Sequence, residues 1–436
     1  MSQIQDIYKL YQECDQKICT DTRSSDIKNS IFFGIKGDNF DGNLYVEKAL
    51  EMGAKYAVTE SNNYTSNPKL IYVKNTITTL QLLAKLHREN FSIPIISITG
   101  SNGKTTTKEI LYHLLSTKFS TCCTKGNYNN HIGVPLTILS LNEKHEIGII
   151  ELGANHVGEI DLLCQIAQPN NGIITNIGKA HLEGFGSYKN IIKAKSELYN
   201  YIIKNNGTLF VDQQNTTLLN LTGQYKHQHF YNTTIKSNSR LAKEDTLYFE
   251  CNPFLKIKWG NNHVQTKIIG NYNAKNISAA IKIAKHFNVT DLEINNVLNK
   301  FQLQNNRSEF IKTEKNEIIL DAYNANPTST KIAIKNFINI KSTLLKHTVI
   351  LGDMLELGEN TLKYHQEIIN LLINLNIKNC YLVGPIFKET DYPNYFTHSI
   401  SVQECSNLIR KDQIQNSLVL IKGSRKIKLE KLMDLL

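Results

Sequence analysis

An apolar run, a glycine-rich turn and an amphipathic stretch follow one another at residues 96–111, ISITGSNGKTTTKEIL. This order predicts a buried strand at residues 95–99, a tight turn and a helix that begins at Lys104. Glycines let the backbone N–H groups of such a turn point inward around phosphate oxygens. The start of the helix adds the attraction of its dipole for anions. The segment therefore predicts a phosphate-binding loop attached to a parallel α/β sheet.

The loop also supplies side chains that a nucleotide site needs. Lys104 would place a cation against the β- and γ-phosphates, and the Thr105 hydroxyl would ligate Mg²⁺. The usual loop has a further glycine where this chain has Ile98, so this is a shortened G-x-x-G-K-T variant. An ordinary strand–turn–helix connection is the alternative, but Gly-Lys-Thr-Thr directly after an apolar strand favours phosphate binding. The predicted nucleotide-binding residues of the loop are Gly100, Ser101, Asn102, Gly103, Lys104, Thr105 and Thr106.

Length and composition limit the class of protein. A chain of 436 residues is too long for one ordinary core, and 41% hydrophobic with 20% charged residues is typical of a globular protein. The N-terminal residues lack the apolar core of a signal peptide, and no apolar run is long enough to span a bilayer. The eight cysteines are scattered without paired CxxC clusters, which argues against a zinc site or a disulfide framework. We therefore expect a cytoplasmic protein with no membrane partner.

The net charge of +10 leaves two classes of partner open. It would suit nucleic acid, but the lysines are dispersed and no nucleic-acid-binding module is recognisable. It would equally suit a cleft for polyanionic small molecules. A P-loop ATPase that acts on nucleic acid stays an alternative, and it predicts ATP hydrolysis stimulated by nucleic acid with a steep salt dependence.

Three regions differ in their patterns. Residues 1–91 hold short strand-like pieces and a helix-like stretch, and residues 89–94, ENFSIP, are predicted to form a linker because Pro94 ends the preceding helix. Residues 92–304 alternate apolar runs with amphipathic stretches, which is typical of a parallel sheet covered on both faces. Residues 305–436 begin a second such series with four strand-like runs. The predicted fold is therefore α/β in three domains, with a parallel-sheet central domain and a smaller doubly wound, Rossmann-like C-terminal domain.

Polar side chains follow two further predicted strands of the central region. Glu151 ends the run IGIIEL, where an acid is placed to hold a metal ion beside the phosphates. His181 follows the next strand, in NIGKAHLEGFGS. Each could be an ordinary residue in isolation, but parallel strands end at the same edge of a sheet. The convergence of these residues with the phosphate loop favours one site.

Seven stretches together resemble the Mur ligases of peptidoglycan synthesis, in the right order over almost the whole chain. They are TGSNGKTTTKE, GNYNNHIGVPLT, ELGANHVGEI, NIGKAHLEGFGS, AKSE, GNYNAKN and LDAYNANPTS. The phosphate loop is shared by all Mur ligases and by folylpolyglutamate synthetase. ELGANHVGEI and DAYNANP are characteristic of the members that add D-alanyl-D-alanine.

The resemblance implies a fold and a reaction. The N-terminal domain, residues 1–91, would bind a UDP-sugar, residues 92–304 would be the ATPase domain, and residues 305–436 would close over the site. UDP-MurNAc-tripeptide and D-alanyl-D-alanine would be joined at the expense of ATP through an acyl phosphate, by an enzyme expected to be a monomer that binds neither nucleic acid nor membrane. A sibling ligase that adds glutamate or a diamino acid is the alternative, but the Asn-Pro-Arg stretch usual in the sibling that adds the third amino acid is missing from this sequence.

Roles at the reacting centre follow from the same resemblance. Thr105 and Glu151 would hold one Mg²⁺ between the ATP phosphates, and His181 would serve a second Mg²⁺. Lys104 would stabilise the migrating phosphoryl group. Lys195, in IIKAKSELY, would be carried as a carbamate that acts with the second ion. Without the resemblance, Lys195 would be interpreted as part of a solvated helix face.

The resemblance also implies contacts with the nucleotide and with the UDP-sugar substrate. Asn273 and Asn276 would lie near the adenine, and Arg307 and Asp321 would reach ribose and phosphate from the C-terminal domain. The family usually has glycine before that arginine, where this chain has Asn306. The residues implied for the UDP-sugar and the muramoyl-peptide are Thr22, Arg23, Asn129, Asn130, Asn155 and His156.

Overall fold

The computed structural model describes residues 3–62, 67–235, 246–303, 306–341, 344 and 346–436, and it shows an α/β fold in three domains, each built on its own main sheet. The predicted boundary at 304–305 lies outside the described residues. Within the described ranges, none of the helices combines the length and the apolar character that a bilayer crossing needs.

The N-terminal domain holds a four-stranded parallel sheet in the order β1-β2-β5-β6, with a short antiparallel pair, β3–β4, beside it. Its strands are β1 (Ile18–Cys19), β2 (Ile31–Phe33), β3 (Lys36–Gly37), β4 (Phe40–Asp41), β5 (Tyr56–Thr59) and β6 (Leu70–Tyr72). Its helices are α1 (Gln3–Glu13), α2 (Val46–Glu51) and α3 (Thr76–Arg88). The strand-like pieces SIFFGI, KYAVTE and KLIYV of the sequence form β2, β5 and β6, as expected, and the helix before Pro94 is α3.

The central domain is a nine-stranded sheet in the order β15-β14-β13-β12-β11-β10-β7-β9-β8. Its strands are β7 (Ile95–Thr99), β8 (Thr121–Cys123), β9 (Ile147–Glu151), β10 (Asn171–Ile174), β11 (Thr208–Asp212), β12 (Gln228–Ile235), β13 (Thr246–Cys251), β14 (Phe254–Trp259) and β15 (Asn262–Ile269). Its helices are α4 (Lys104–Leu115), α5 (Gly133–Leu139), α6 (Glu159–Ala167), α7 (Leu182–Phe185), α8 (Tyr188–Lys204), α9 (Thr216–Thr222), α10 (Asn273–His286) and α11 (Asp291–Lys300). The strand at 95–99 and the helix from Lys104 are confirmed.

The sheet is parallel from β8 to β13, as expected from the alternation of strands and helices, and the two last strands extend it in the antiparallel direction. β14 pairs with β13 and β15 pairs with β14. The alternation of strands and helices in the sequence gives no indication of this antiparallel extension. Strand β7 lies between β10 and β9, so the loop after β7 opens at the centre of the parallel region, where ligands of such sheets bind.

The C-terminal domain is a six-stranded sheet in the order β16-β17-β21-β18-β19-β20, parallel except at its first strand. Its strands are β16 (Glu309–Lys312), β17 (Asn316–Asp321), β18 (Lys346–Gly352), β19 (Asn379–Val383), β20 (Thr397–Ser399) and β21 (Ser417–Lys422). Its helices are α12 (Pro327–Ile338), α13 (Thr361–Asn374), α14 (Pro385–Lys388) and α15 (Val402–Asp412). The four predicted strands are confirmed as β17, β18, β19 and β21. Asp321 and Lys422 end the adjacent strands β17 and β21, and Asp353 directly follows β18, which pairs with β21.

The N-terminal and central domains share one continuous core. Leu80 and Leu83 of α3 belong to the same buried cluster as Val134 and Ile138 of α5. The hydroxyl of the fully buried Tyr11 in α1 donates a hydrogen bond to the Leu139 carbonyl. The first domain is therefore fixed to the second by apolar burial and directed hydrogen bonds.

Tyr11→Phe is expected to lower the stability of the protein by about 1–3 kcal/mol, because it leaves the Leu139 carbonyl buried without its donor. The midpoint of urea-induced unfolding should fall relative to the wild type. The matched control is Tyr72→Phe, at a ring that is 46% exposed. Equal midpoints for Tyr11→Phe and the wild type would show that the hydrogen bond adds nothing.

Candidate active site

The phosphate loop has a backbone that requires glycine at two positions. Gly100 and Gly103 have φ values of 142° and 80°. A Cβ atom on Gly100 would overlap the Thr175 hydroxyl, and one on Gly103 would lie 2.5 Å from Oδ1 of Asn276. The loop therefore approaches its neighbours so closely that any side chain at either glycine would displace it.

The loop is supported from below by the segment that follows β10. The Ser101 N–H donates to the Asn176 carbonyl at 2.9 Å, and the Asn102 N–H donates to Asn176 Oδ1 at 3.1 Å. The Asn176 amide donates in return to the Asn102 carbonyl at 2.8 Å. Asn176 therefore fixes both backbone faces of the loop. It is the first residue of the quoted stretch NIGKAHLEGFGS, so that motif was a usable signal for it, although the sequence does not indicate which residues it contacts.

Lys104 lies at the start of α4 and is turned back over the loop. Its Nζ donates to the Gly100 carbonyl at 2.7 Å. Burial lowers the pKa of the Lys104 ammonium, the nearby Glu151 carboxylate opposes this shift, and the Arg307 guanidinium adds to it. A cation that is held by carbonyls in a poorly hydrated place interacts strongly with any phosphate that enters.

Glu151 and Thr105 meet directly. The Thr105 hydroxyl donates to Glu151 Oε2 at 2.8 Å, and the Asn129 amide donates to Glu151 Oε1 at 2.7 Å. Adjacent oxygen ligands of an octahedral Mg²⁺ stand about 2.9 Å apart, and this ion prefers one or two carboxylates combined with phosphate oxygens. The hydroxyl–carboxylate pair therefore fits Mg²⁺ in donor type and in spacing. Asn129, predicted as a contact of the muramoyl-peptide, is engaged with the carboxylate of this pair.

Lys195 is buried on α8, and 2% of the residue is exposed. Its Nζ lies 5.5 Å from the centre of the Phe185 ring. Burial, together with the charge of Lys104, lowers the pKa of the Lys195 ammonium to about 7, against the effect of Glu159, Glu197 and Glu151. The interpretation of Lys195 as part of a solvated face is wrong, because hydrophobic neighbours on α8 turn this side chain inward.

His181 lies in the loop between β10 and α7, and its ring contacts the C-terminal domain. His181 Nδ1 lies 2.6 Å from Glu356 Oε2. Hydrogen bonding to His181 lowers the pKa of the Glu356 carboxyl. Glu356 lies 175 positions further along the chain, and the sequence around His181 does not indicate this partner.

The C-terminal domain presents a charged cluster at the ends of β17 and β21. Lys422 Nζ donates to Asp321 Oδ2 at 2.7 Å, and the Ser308 N–H donates to Asp321 Oδ1 at 3.2 Å. The Arg307 guanidinium lies 3.5 Å from the centre of the Tyr323 ring. Asn306 has a φ of 59°, a left-handed conformation that asparagine adopts more readily than most residues. Asn306 therefore adopts a conformation that glycine, the usual residue of the family at this position, would also adopt.

A hydrogen bond joins the phosphate loop to the C-terminal domain. The amide of Asn326, at the start of α12, donates to Asn102 Oδ1 at 2.8 Å. On the opposite side, Asn276 donates to Asn273 Oδ1 at 2.8 Å, next to the loop glycine Gly103. The loop is thus enclosed by asparagine side chains from two domains.

These elements surround a cavity of about 920 Å³ between the central and C-terminal domains. The predicted site residues that line it are Ser101, Asn102, Gly103, Lys104, Thr105, Thr106, Asn129, Asn130, Glu151, Asn155, His181, Asn273, Asn276, Arg307 and Asp321. One cavity therefore brings together residues that are more than two hundred positions apart in the chain.

Other predicted residues do not line this cavity. Gly100 and Lys195 are buried, whereas His156 is exposed and its Nδ1 lies 3.0 Å from Glu159 Oε1. Thr22 and Arg23 lie in the N-terminal domain, where the exposed Arg23 guanidinium binds both carboxylate oxygens of Asp21 at 2.9 and 2.7 Å. Hydrogen bonds from Arg23 lower the pKa of the Asp21 carboxyl to about 2.

The cavity also contains residues that the sequence analysis did not include. Lys275 Nζ donates to the buried Asp212 carboxylate at 2.7 Å, and Lys422 and Tyr323 belong to the C-terminal cluster. Tyr323 and Asn326 are part of the quoted stretch LDAYNANPTS, so that motif was a usable signal for both. Nothing in the sequence signals the pairing of Asp212 with Lys275.

Two family models match the chain. Residues 98–284 match the Mur ligase middle domain, and residues 306–425 match the glutamate ligase domain of Mur ligases. The matched ranges include the phosphate loop, Glu151, His181 and Lys195, and also the charged cluster of the C-terminal domain.

Relatives match over nearly their whole length. The UDP-N-acetylmuramoyl-tripeptide–D-alanyl-D-alanine ligase of Bacillus subtilis is 33% identical over 95% of this chain and 92% of its own. A crystal structure of MurF from Acinetobacter baumannii superposes with a TM-score of 0.82 at 29% identity, covering 98% of this chain and 97% of that one. MurF ligase from Thermotoga maritima, in complex with ADP, has the same fold, with a TM-score of 0.83 at 24% identity over 100% of this chain and 98% of that one.

Proposed function

The chain belongs to the Mur ligase family, and from this membership we infer that it is an ATP-dependent ligase that adds D-alanyl-D-alanine to UDP-MurNAc-tripeptide. The observation that carries this inference is identity to a curated ligase of that specificity over nearly the full length of both chains. The cavity supports it, since a phosphate loop on one domain faces the cluster of Arg307, Asp321 and Lys422 on another.

The reaction requires that two anions approach each other. A terminal carboxylate oxygen of the tripeptide attacks the γ-phosphorus of ATP, the bond to the β-phosphate oxygen breaks, and ADP leaves. The amine of D-alanyl-D-alanine then attacks the acyl carbon, loses a proton and expels phosphate from a tetrahedral intermediate. Lys104 would stabilise the charge on the transferred phosphoryl group, and Arg307 would hold the nucleotide from the other domain.

Thr105 and Glu151 would hold one Mg²⁺, because their oxygens match its preferred ligands in type and spacing. When bound, such an ion neutralises phosphate charge and so permits attack by a carboxylate. His181 would serve a second ion through Nε2, since its Nδ1 is bound to Glu356. We propose that Lys195 is carried as a carbamate, because a lysine with a pKa of about 7 offers the neutral amine that CO₂ needs.

The remaining assignments are proposals that rest on the family. Thr22 and Arg23 would contact the UDP-sugar, while Asn130, Asn155 and His156 would face the muramoyl-peptide, and Asn273 and Asn276 the adenine. Domain limits of 1–91, 92–304 and 305–436, a monomeric state and a cytoplasmic location belong to the same proposal. The +10 charge would then serve polyanionic small substrates.

One assay tests the function. Purified protein with ATP and Mg²⁺ is given UDP-MurNAc-tripeptide, D-alanyl-D-alanine, both together, the sibling acceptors, or nucleic acid, and phosphate release is measured. We expect release above background only with the tripeptide and the dipeptide together, and product analysis should show the pentapeptide. Phosphate release that needs a different amino acid would reassign the protein to a sibling ligase. Release stimulated by nucleic acid would overturn the proposed function altogether.

A further inference from the structure

We propose that Glu356 is a positioning residue for the reaction, which fixes the ring of His181 through Nδ1 and does so only when the C-terminal domain is docked on the central domain. This inference rests on the proposed function and adds to it a residue of the C-terminal domain outside the nucleotide contacts. The site in the central domain would then have an oriented His181 ring only while the C-terminal domain is docked on it.

The contact crosses the domain boundary. His181 follows β10 of the central sheet, and Glu356 follows β18 of the C-terminal sheet. Their side chains approach to 2.6 Å, and the Glu183 N–H donates to the Glu356 carbonyl at 3.2 Å. Side-chain and main-chain contacts therefore join the same two loops.

Both residues have an unusual backbone. His181 has a φ of 52° and Glu356 a φ of 62°, in the left-handed region that is uncommon for residues other than glycine, although histidine adopts it more readily than glutamate. Such conformations cost about 1–3 kcal/mol each and persist where the surrounding structure imposes them. Two of them face each other at one contact, beside a cavity that contains a phosphate loop. That coincidence favours a functional contact over a chance surface pair.

The loop that contains Glu356 is held from behind. The Leu355 N–H donates to the Ser424 hydroxyl at 2.9 Å, and the Met354 N–H donates to His365 Nε2 at 3.0 Å. His365 is fully buried, and its Nδ1 donates to the Thr361 carbonyl at 2.8 Å. Leu357, the next residue after Glu356, is buried as well. The carboxylate is thus presented from a rigid support.

The chemistry of imidazole explains what the contact does. A carboxylate that accepts the Nδ1 proton fixes the tautomer and the rotation of the ring, and it leaves the Nε2 lone pair directed elsewhere. His181 lines the cavity, so an ordered Nε2 is available to the reacting groups. If the C-terminal domain moved away, the ring would lose this restraint.

The test combines kinetics with the protonation state of His181. The variants are Glu356→Ala, Glu356→Gln, His181→Ala and the double variant Glu356→Ala/His181→Ala, and Glu359→Ala is the control. Glu359 is an exposed carboxylate of the same segment. Alanine is disfavoured at the positive φ of this position, as glutamate is. Glu356→Ala therefore removes the carboxylate without removing the backbone strain. The assays measure kcat, the KM for ATP and, by ¹⁵N NMR, the ring nitrogens of His181.

We expect Glu356→Ala to lower kcat by about 10–100-fold, as found when partners of functional histidines are removed, with little change in KM for ATP. Glu356→Gln, whose amide oxygen still accepts the Nδ1 proton, should recover part of the loss. The double variant should be no slower than His181→Ala. Wild type should show the tautomer with a protonated Nδ1, and Glu356→Ala should lose it.

Three results would overturn the inference: unchanged kcat in Glu356→Ala, a double variant whose losses multiply, or a tautomer that is the same with and without Glu356. The NMR measurement separates this inference from the proposed function. If the wild type fails to ligate any acceptor, the function is refuted, and the tautomer still decides whether Glu356 orients His181.

Discussion

Lys104→Ala is expected to lower the kcat of ATP-dependent ligation by about 10³-fold, close to the effect of removing other cations that stabilise phosphoryl transfer. Lys104 is the lysine of the phosphate loop, and its half-buried ammonium donates to the Gly100 carbonyl and has a lowered pKa. Alanine would leave the transferred phosphoryl group without that charge, and no other side chain of the loop can supply it. Phosphate release with both acceptors present measures the loss.

Lys118→Ala is the control, because Lys118 is exposed just beyond the other end of the same helix. Its activity should equal that of the wild type. Circular dichroism should show that Lys104→Ala is folded. Retention of most of the activity by folded Lys104→Ala would mean that the loop is structural and that the nucleotide binds elsewhere.

Lys195→Ala is the second change with a large expected effect, a loss of at least about 10²-fold in kcat, since it removes a charged group proposed to act at the reacting centre. Only a neutral amine adds CO₂, and burial with a pKa of about 7 leaves Lys195 partly neutral at neutral pH. As pH falls below about 7, the amine becomes protonated, the carbamate is lost and activity should fall. Short carboxylates such as acetate should restore part of the activity of Lys195→Ala.

Lys193→Ala is the matched control, since Lys193 is exposed on the same helix. With ¹³C-bicarbonate, the wild type and Lys193→Ala should show a carbamate signal in NMR that Lys195→Ala lacks. Indifference of the kinetics to Lys195→Ala, or the same carbamate signal in all three proteins, would contradict the proposed role.

The parts that sequence predicts well are those that local chemistry determines. Gly100 and Gly103 have the positive φ values that a glycine-rich turn favours, and Lys104 folds back over that turn to the Gly100 carbonyl. Strand β7 and helix α4 follow from apolar periodicity in the same stretch.

The parts that it misses depend on distant partners. The hydrogen bonds of Tyr11 with Leu139, of Asn326 with Asn102 and of Lys275 with Asp212 join residues far apart in the chain, and no local pattern indicates which residue pairs with which. Periodicity along the chain also did not indicate that β14 and β15 would extend the sheet in the antiparallel direction. Lys195 shows the same limit, since the pattern of IIKAKSELY alone predicts a solvated lysine and the side chain is buried.

The continuous core of the first two domains has a consequence for recombination. A crossover in the linker before Pro94 would take Leu80 and Leu83 from one parent and Val134 and Ile138 from the other. Where the two parental surfaces do not match, apolar side chains that are buried in this protein would become exposed. A chimaera that receives the N-terminal segment of a homologue would thus require matching replacements on α5 and α6. The unit that can be exchanged between homologues therefore includes the packed residues of α3, α5 and α6, and no single position in the sequence separates it from the rest of the chain.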